Sequence, residues 1–226
     1  MNSKDKIRVL FIGNSYTFQN NLPVIFKELC DAADRPMDVE MVAEGGKSLD
    51  WHLYQNPKTI QVIENGPWDI VVLQDHSLQT ILEPERFMHA VVRLSAKIKA
   101  TGAIPFLYAT WAREKLPETQ ETISNNYARA AAAAGVAIAP VGDTWQAVKK
   151  AVPDVTLYKD DGSHPNFTGS YLTACVLFAA IFQASPIGLK NSLRLCDGTQ
   201  AVVDPALAKR FQEIIWGPHV SHKCSG

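Results

Sequence analysis

Arg8-Val-Leu-Phe-Ile-Gly-Asn-Ser-Tyr-Thr17 is the stretch whose reading decides the fold. Val9 to Ile12 is an unbroken apolar run with no polar alternation, the pattern of a strand buried on both faces of a parallel sheet. The run stops at Gly13. The polar set Asn14, Ser15, Tyr16 and Thr17 follows, and helical spacing begins near Leu22. A strand that ends in a tight polar turn and feeds a helix puts that turn at the carboxyl edge of the sheet, where open α/β sheets build their sites. On these residues alone Ser15 is either a nucleophile presented on a turn or a hydroxyl that cradles phosphate.

Working outward, strand-like segments recur at Met37 to Ala43, Trp68 to Leu73, Ile104 to Tyr108 and Val136 to Val141. Helical patterns separate them. Leu22, Ile25, Phe26 and Leu29 share one face of a segment that runs to Ala33, and a second stretch opens at Ser48 and breaks at Asn56-Pro57. Pro84 opens a helix through Phe87, Val91, Leu94 and Ile98 that Gly102 closes. Pro117 sits at the first turn of a long helix that ends at Gly135, and Asp143-Thr-Trp-Gln146 has the form of a capping box. An apolar helix spans Tyr171 to Phe182, and Asp204-Pro205 caps a last one that stops at Gly217-Pro218. Five β-α repeats predict an α/β protein, a three-layer α/β/α sandwich with a five-stranded parallel sheet. No linker-like composition divides the chain, so one domain over residues 1–226 is expected, with 217–226 as a loose tail.

With 226 residues, 46% of them hydrophobic, the chain can bury a sizeable core. A formal charge of -1 carries no basic footprint, which argues against nucleic acid as a partner. Leu172 to Phe182, the longest apolar stretch, is shorter than the ~20 residues of a membrane span, so no membrane association is expected. The polar Met1 to Lys6 stretch has no signal-peptide pattern; cytoplasmic location is the expectation, although a secreted chain trimmed of its leader would read the same. Cys30 and Cys175 fall on apolar helix faces as small hydrophobes. Cys196 and Cys224 could pair, but nothing requires it, and a reducing compartment is favoured. His219-x-x-His222-x-Cys224 has ligand types but no fourth ligand nearby and reads as a terminus, so no metal is expected. No cofactor is expected either.

Chemistry collects at the strand ends. The Ser15 turn, the Gly45-Gly46 loop, the Gln74-Asp-His-Ser77 loop and the Asp161-Gly-Ser-His-Pro-Asn166 loop converge on one edge in a parallel sheet. Serine, histidine and aspartate are the parts of an acyl-transfer nucleophile: the imidazole takes the serine proton and the carboxylate fixes its tautomer. Asp161 and His164, three residues apart, can be presented by one short loop. An oxyanion then needs donors, which a glycine amide and a side-chain amide can supply. No Gly-x-Ser-x-Gly is present, so Ser15 is not the nucleophile elbow of an α/β-hydrolase.

In order and placement these four blocks resemble the SGNH, or GDSL-like, hydrolase superfamily, and Gly-Asn-Ser-Tyr-Thr with Leu-Gln at the third strand looks most like a poorly characterised bacterial branch. The resemblance implies a flavodoxin-like sandwich. It makes Ser15 the nucleophile and, through its amide, one oxyanion donor, with Gly46 and Gln74 as the others and Asp161 and His164 as acid and base. Gly45 competes with Gly46 for its role. Two positions depart from the family form: Asn14 replaces the aspartate of Gly-Asp-Ser, and Gln74 stands where asparagine is usual. Trp111 reads equally as a wall of the substrate pocket or as a core or surface aromatic, and His76 as a pocket or a surface residue, while Trp51 and Trp145 are expected in the core. The implied activity is a serine esterase or deacetylase acting on acetyl and other short acyl esters, small molecules or carbohydrates. The alternatives are an O-acyltransferase using the same acyl-enzyme and a flavodoxin-like module for phosphate or flavin.

Overall fold

The protein is described here by a computed structural model covering residues 6–194 and 198–217. Cys196, Cys224, His219, His222 and the tail beyond Gly217 lie outside the described residues. Strands β1 (Ile7–Gly13), β2 (Met37–Ala43), β3 (Ile70–Leu73), β4 (Ile104–Tyr108) and β5 (Ala137–Ala139) form one parallel sheet in the order β2-β1-β3-β4-β5. The helices are α1 (Ser15–Phe18), α2 (Leu22–Ala32), α3 (Leu49–Tyr54), α4 (Pro57–Asn65), α5 (Gln79–Leu82), α6 (Pro84–Ala100), α7 (Gln120–Ala134), α8 (Val141–Ala151), α9 (Phe167–Phe182) and α10 (Pro205–Trp216). A small antiparallel hairpin, β6 (Ser192–Arg194) with β7 (Gln200–Val202), has no counterpart in the sequence expectation.

The apolar run of β1 reads continuously because both of its faces are covered. Val9 and Phe11 pack with α2, α8, α9 and α10, whereas Leu10 and Ile12 pack with α3, α4, α6 and α7. The expected three-layer α/β/α sandwich with a five-stranded parallel sheet is what forms. Its strand order is the flavodoxin-like one, and the chain leaves β1 toward β2 on one side and returns as β3 on the other, which opens a crevice at their carboxyl ends. No described helix is long and apolar enough to cross a membrane.

Several boundaries move for local reasons. The fifth strand ends at Ala139, because Pro140 precedes α8 and that helix begins at Val141. Asp143 therefore sits inside the first turn of α8 and accepts a hydrogen bond from Ser124 Oγ at 2.5 Å, so no capping box forms. Helix α9 starts four residues earlier than expected, with Asn166 Oδ1 accepting from Gly169 N at 2.9 Å. The Asn56-Pro57 break separates α3 from α4, a helix not anticipated. Cys30 and Cys175 are buried free thiols, and Trp145 is fully buried as expected, but Trp51 is only half-buried, lying under Lys47 Nζ at 5.2 Å from its ring centre.

Candidate active site

The end of β1 is built for close approach. A Cβ on Gly13 would lie 2.4 Å from Thr17 Oγ1 and 2.5 Å from Gln74 Oε1, so only glycine lets the turn fold back against β3. The Gly13 carbonyl accepts from Glu44 N (3.1 Å) and from Nε2 of the buried His52 (2.8 Å), whose Nδ1 accepts from Thr59 Oγ1 (2.8 Å). Burial holds the His52 imidazole below the ordinary histidine range, which suits this neutral tautomer. Asn14 then caps α1, its Oδ1 accepting from Tyr16 N (3.1 Å), while its Nδ2 donates to the Lys47 carbonyl (2.9 Å). That second bond ties the Ser15 turn to the Gly45-Gly46 loop, and a carboxylate could not make it. The amide at position 14 is thus explained by its donor.

Ser15 follows, half-buried and lining the pocket. His164 Nε2 lies 2.8 Å from Ser15 Oγ, and His164 Nδ1 lies 2.6 Å from Asp161 Oδ2. The other carboxylate oxygen, Asp161 Oδ1, accepts from the backbone amides of Ser163 and His164, each at 2.8 Å. Desolvation pushes the Asp161 carboxyl up, but the bonds from the His164 ring and the two amides outweigh it and hold the group down at about 2. An ionised Asp161 keeps the proton on Nδ1 and leaves Nε2 free to accept from Ser15. Asp160 takes no part in this chain.

The loop that carries this pair is fastened from several sides. Lys159 N donates to the His164 carbonyl (2.8 Å), and Gly162, at φ +63°, presents its carbonyl to Glu114 N (2.8 Å). Asn20 Nδ2 bonds the Pro165 carbonyl (3.0 Å) and Ser170 Oγ (2.9 Å). Trp111 Nε1 donates to the Ser163 carbonyl at 3.0 Å. The indole is completely buried, stacked between Tyr16 (4.6 Å between ring centres) and Trp145 (3.9 Å). Trp111 is therefore not a pocket wall; it lies beneath Tyr16 and steadies the loop from below. Asn20 was not singled out in the sequence, and no local pattern there reports its contact with a loop 145 residues away.

The pocket itself encloses about 370 Å³ and includes Ser15, His164, Gly45 and Gly46. Among the described residues no acceptor occupies the amides of Ser15, Gly45 or Gly46, so all three are available to an oxyanion. Gly46 has φ +68°, the left-handed conformation that favours glycine. His76 is among the residues that line the cavity. Its Nδ1 accepts from Leu78 N at 3.3 Å, and burial, followed by the Arg113 guanidinium, holds the imidazole below its usual range.

Gln74 does not reach the pocket. Its side chain is buried, with Oε1 accepting from Asn14 N (2.9 Å) and Thr17 Oγ1 (2.8 Å) and Nε2 donating to the Asp75 carbonyl. Every polar end is engaged inside the protein, so the oxyanion-donor expectation is corrected to that of a brace holding the Ser15 turn. The residue that sequence reading missed is Arg113, just past β4, which lines the pocket and donates from Nη2 to Ser77 Oγ at 3.1 Å.

The flavodoxin-like sheet thus carries a Ser-His-Asp hydrogen-bonded chain at its switch point, an arrangement that serine hydrolases use. Neither a family model nor a curated protein matches the sequence. Among solved structures, a candidate SGNH hydrolase from Slackia heliotrinireducens is 31% identical, with a TM-score of 0.67, over 78% of this chain and 100% of that one. A DUF4886 family protein from Bacteroides uniformis superposes with a TM-score of 0.72 at 20% identity, covering 93% of each chain. An acetyl xylan esterase shares the fold at 16% identity and a TM-score of 0.63, over 77% of this chain and 100% of that one. The chain belongs to the SGNH, or GDSL-like, hydrolase superfamily.

Proposed function

We propose that the protein is a serine esterase that cleaves short acyl esters, acetyl esters foremost, on a small molecule or a carbohydrate. The observation that carries this reading is the bond series Ser15 Oγ, His164 Nε2, His164 Nδ1, Asp161 Oδ2, with gaps of 2.8 and 2.6 Å. Ser15 Oγ attacks the ester carbonyl carbon as its proton passes to His164 Nε2. The carbonyl oxygen, now an anion, lies toward the amides of Ser15 and Gly46, with Gly45 next to it. Collapse breaks the bond to the alcohol oxygen, which leaves with the proton from His164. Water then adds to the acyl-serine, giving its proton to His164, and the acid departs as Ser15 regains its proton. The pocket volume, near the small end of ligand sites, supports a short acyl group.

Ser15→Ala is the test. The variant should retain the native unfolding transition and lose nearly all turnover of an aryl acetate; undiminished turnover would overturn the assignment. A phosphate- or flavin-binding role leaves the Asp161 and His164 pair without a task, and a colourless protein that takes up no flavin mononucleotide would dismiss it.

A further inference from the structure

Arg113 is a charged group that nothing in the described protein neutralises. It makes no ion pair among the described residues, and of its three nitrogens only Nη2 has a partner, the neutral Ser77 Oγ at 3.1 Å. Nε is shut off from solvent with no acceptor. Two carboxylates of this region are committed elsewhere: Asp161 to His164 and two backbone amides, and Glu114, the next residue in sequence, toward Lys149 Nζ at 3.9 Å. A guanidinium held for structure finds a carboxylate or several carbonyls, because desolvating it without one is costly. This one instead faces the pocket that contains Ser15 and His164.

The groups that line the same pocket are neutral hydrogen-bonding groups. Tyr16 Oη and Ser163 Oγ are 2.7 Å apart on the wall, and burial raises the Tyr16 phenol, so it stays a neutral hydroxyl. His76, with Nδ1 accepting from Leu78 N, carries its proton on Nε2 and is a neutral donor. A guanidinium whose Nη1 has no partner among the described residues, with neutral hydrogen-bonding groups lining the same pocket, matches a carboxylate or a comparable oxyanion.

Resting on the esterase reading above, we propose that the natural substrate is an ester bearing an anionic group, and that Arg113 binds that group within the pocket while Ser15 takes the acyl carbon. The charge can lie on the acyl side or on the alcohol side of the ester bond. Three aryl esters separate these: 4-nitrophenyl acetate is neutral, 4-nitrophenyl hemisuccinate carries a carboxylate on the acyl group, and 4-acetoxybenzoate carries one on the leaving alcohol.

The quantity read is kcat/KM for each anionic ester relative to the neutral one, in native protein, Arg113→Gln and Arg113→Lys. Comparing this ratio between native and variant protein cancels the esters' intrinsic reactivity. It should fall roughly 10- to 100-fold in Arg113→Gln for one of the two anionic esters, with a smaller fall in Arg113→Lys, which keeps the charge but loses the fork. The ester whose ratio falls reports the side on which the anion sits. Ratios unchanged for both esters would overturn the proposal while leaving Ser15-dependent hydrolysis intact. If no ester is turned over, the esterase reading fails by itself, and calorimetric titration of succinate and of benzoate still reads Arg113. Tighter binding of either ligand to native protein than to Arg113→Gln supports the anion site; equal binding overturns it. Arg113→Lys serves both assays if the glutamine variant does not fold.

Discussion

Replacing Asn14 by aspartate, the residue of the Gly-Asp-Ser form, should weaken this protein. Asn14 is 2% exposed, and its Nδ2 donates to the Lys47 carbonyl at 2.9 Å. Aspartate keeps the cap on Tyr16 N and strengthens it by up to about 1 kcal/mol. It loses the bond to Lys47, about 1 kcal/mol, and turns a carboxylate oxygen toward a carbonyl in a buried place, which costs about 1–3 kcal/mol more. The net is about 2 kcal/mol at neutral pH, or a melting temperature lower by roughly 4–8 °C. The sign of the pH dependence discriminates. Burial raises the new carboxyl above its unfolded value, so the stability it contributes is fully present below pH ~4 and lost as pH rises through the folded value. Protonated, it can donate to Lys47 as the amide does. Urea denaturation of native, Asn14→Asp and Asn14→Ala proteins at pH 4.5 and 8 measures this. The aspartate deficit should shrink at the lower pH while the alanine deficit stays level. An aspartate variant as stable as native at pH 8, or one whose deficit ignores pH, would refute the donor role assigned to Asn14.

Gln74→Leu should lower unfolding free energy by about 2–4 kcal/mol, because Asn14 N, Thr17 Oγ1 and the Asp75 carbonyl all lose their partner; denaturation showing native stability would contradict the brace. Gly46→Ala has room for its methyl but must hold φ +68°, so kcat on an aryl acetate should fall roughly tenfold as the amide shifts, and the strain should cost about 1 kcal/mol, a fall of roughly 2–4 °C in the unfolding midpoint. An unaltered kcat would move the oxyanion role to Gly45. Asp75 is buried, with Oδ2 lacking a partner, and burial raises its carboxyl to about 7. A raised carboxyl stabilises fully below its unfolded value near 4 and loses that contribution up to about pH 7. The stability of Asp75→Asn relative to native should therefore rise between pH 4 and 7; a constant difference would show that Asp75 does not titrate in that window.

The sequence by itself was enough for the sheet and for the convergence of Ser15, Asp161 and His164 at one edge of it. Val9 to Ile12, Gly13 and the recurring apolar runs declare β-strands feeding helices, because burial on two faces leaves no alternation to misread. Asp161 and His164 were legible for a local reason: three residues of spacing on one short loop bring carboxylate and imidazole together. What failed to show were roles set by neighbours distant in the chain. Nothing in a row of letters says whether the Gln74 amide points into the crevice or is consumed by Asn14 and Thr17, 60 and 57 residues away. Trp111 reads equally as wall or core until Trp145 and Tyr16 are seen stacked on its two faces. Nothing local in the sequence marks Arg113, which pairs with no carboxylate among the described residues. Hydrogen bonds and charges are satisfied by whatever the tertiary structure brings within about 3 Å, and that proximity, which periodicity does not encode, decided which of the polar residues at the sheet edge line the pocket.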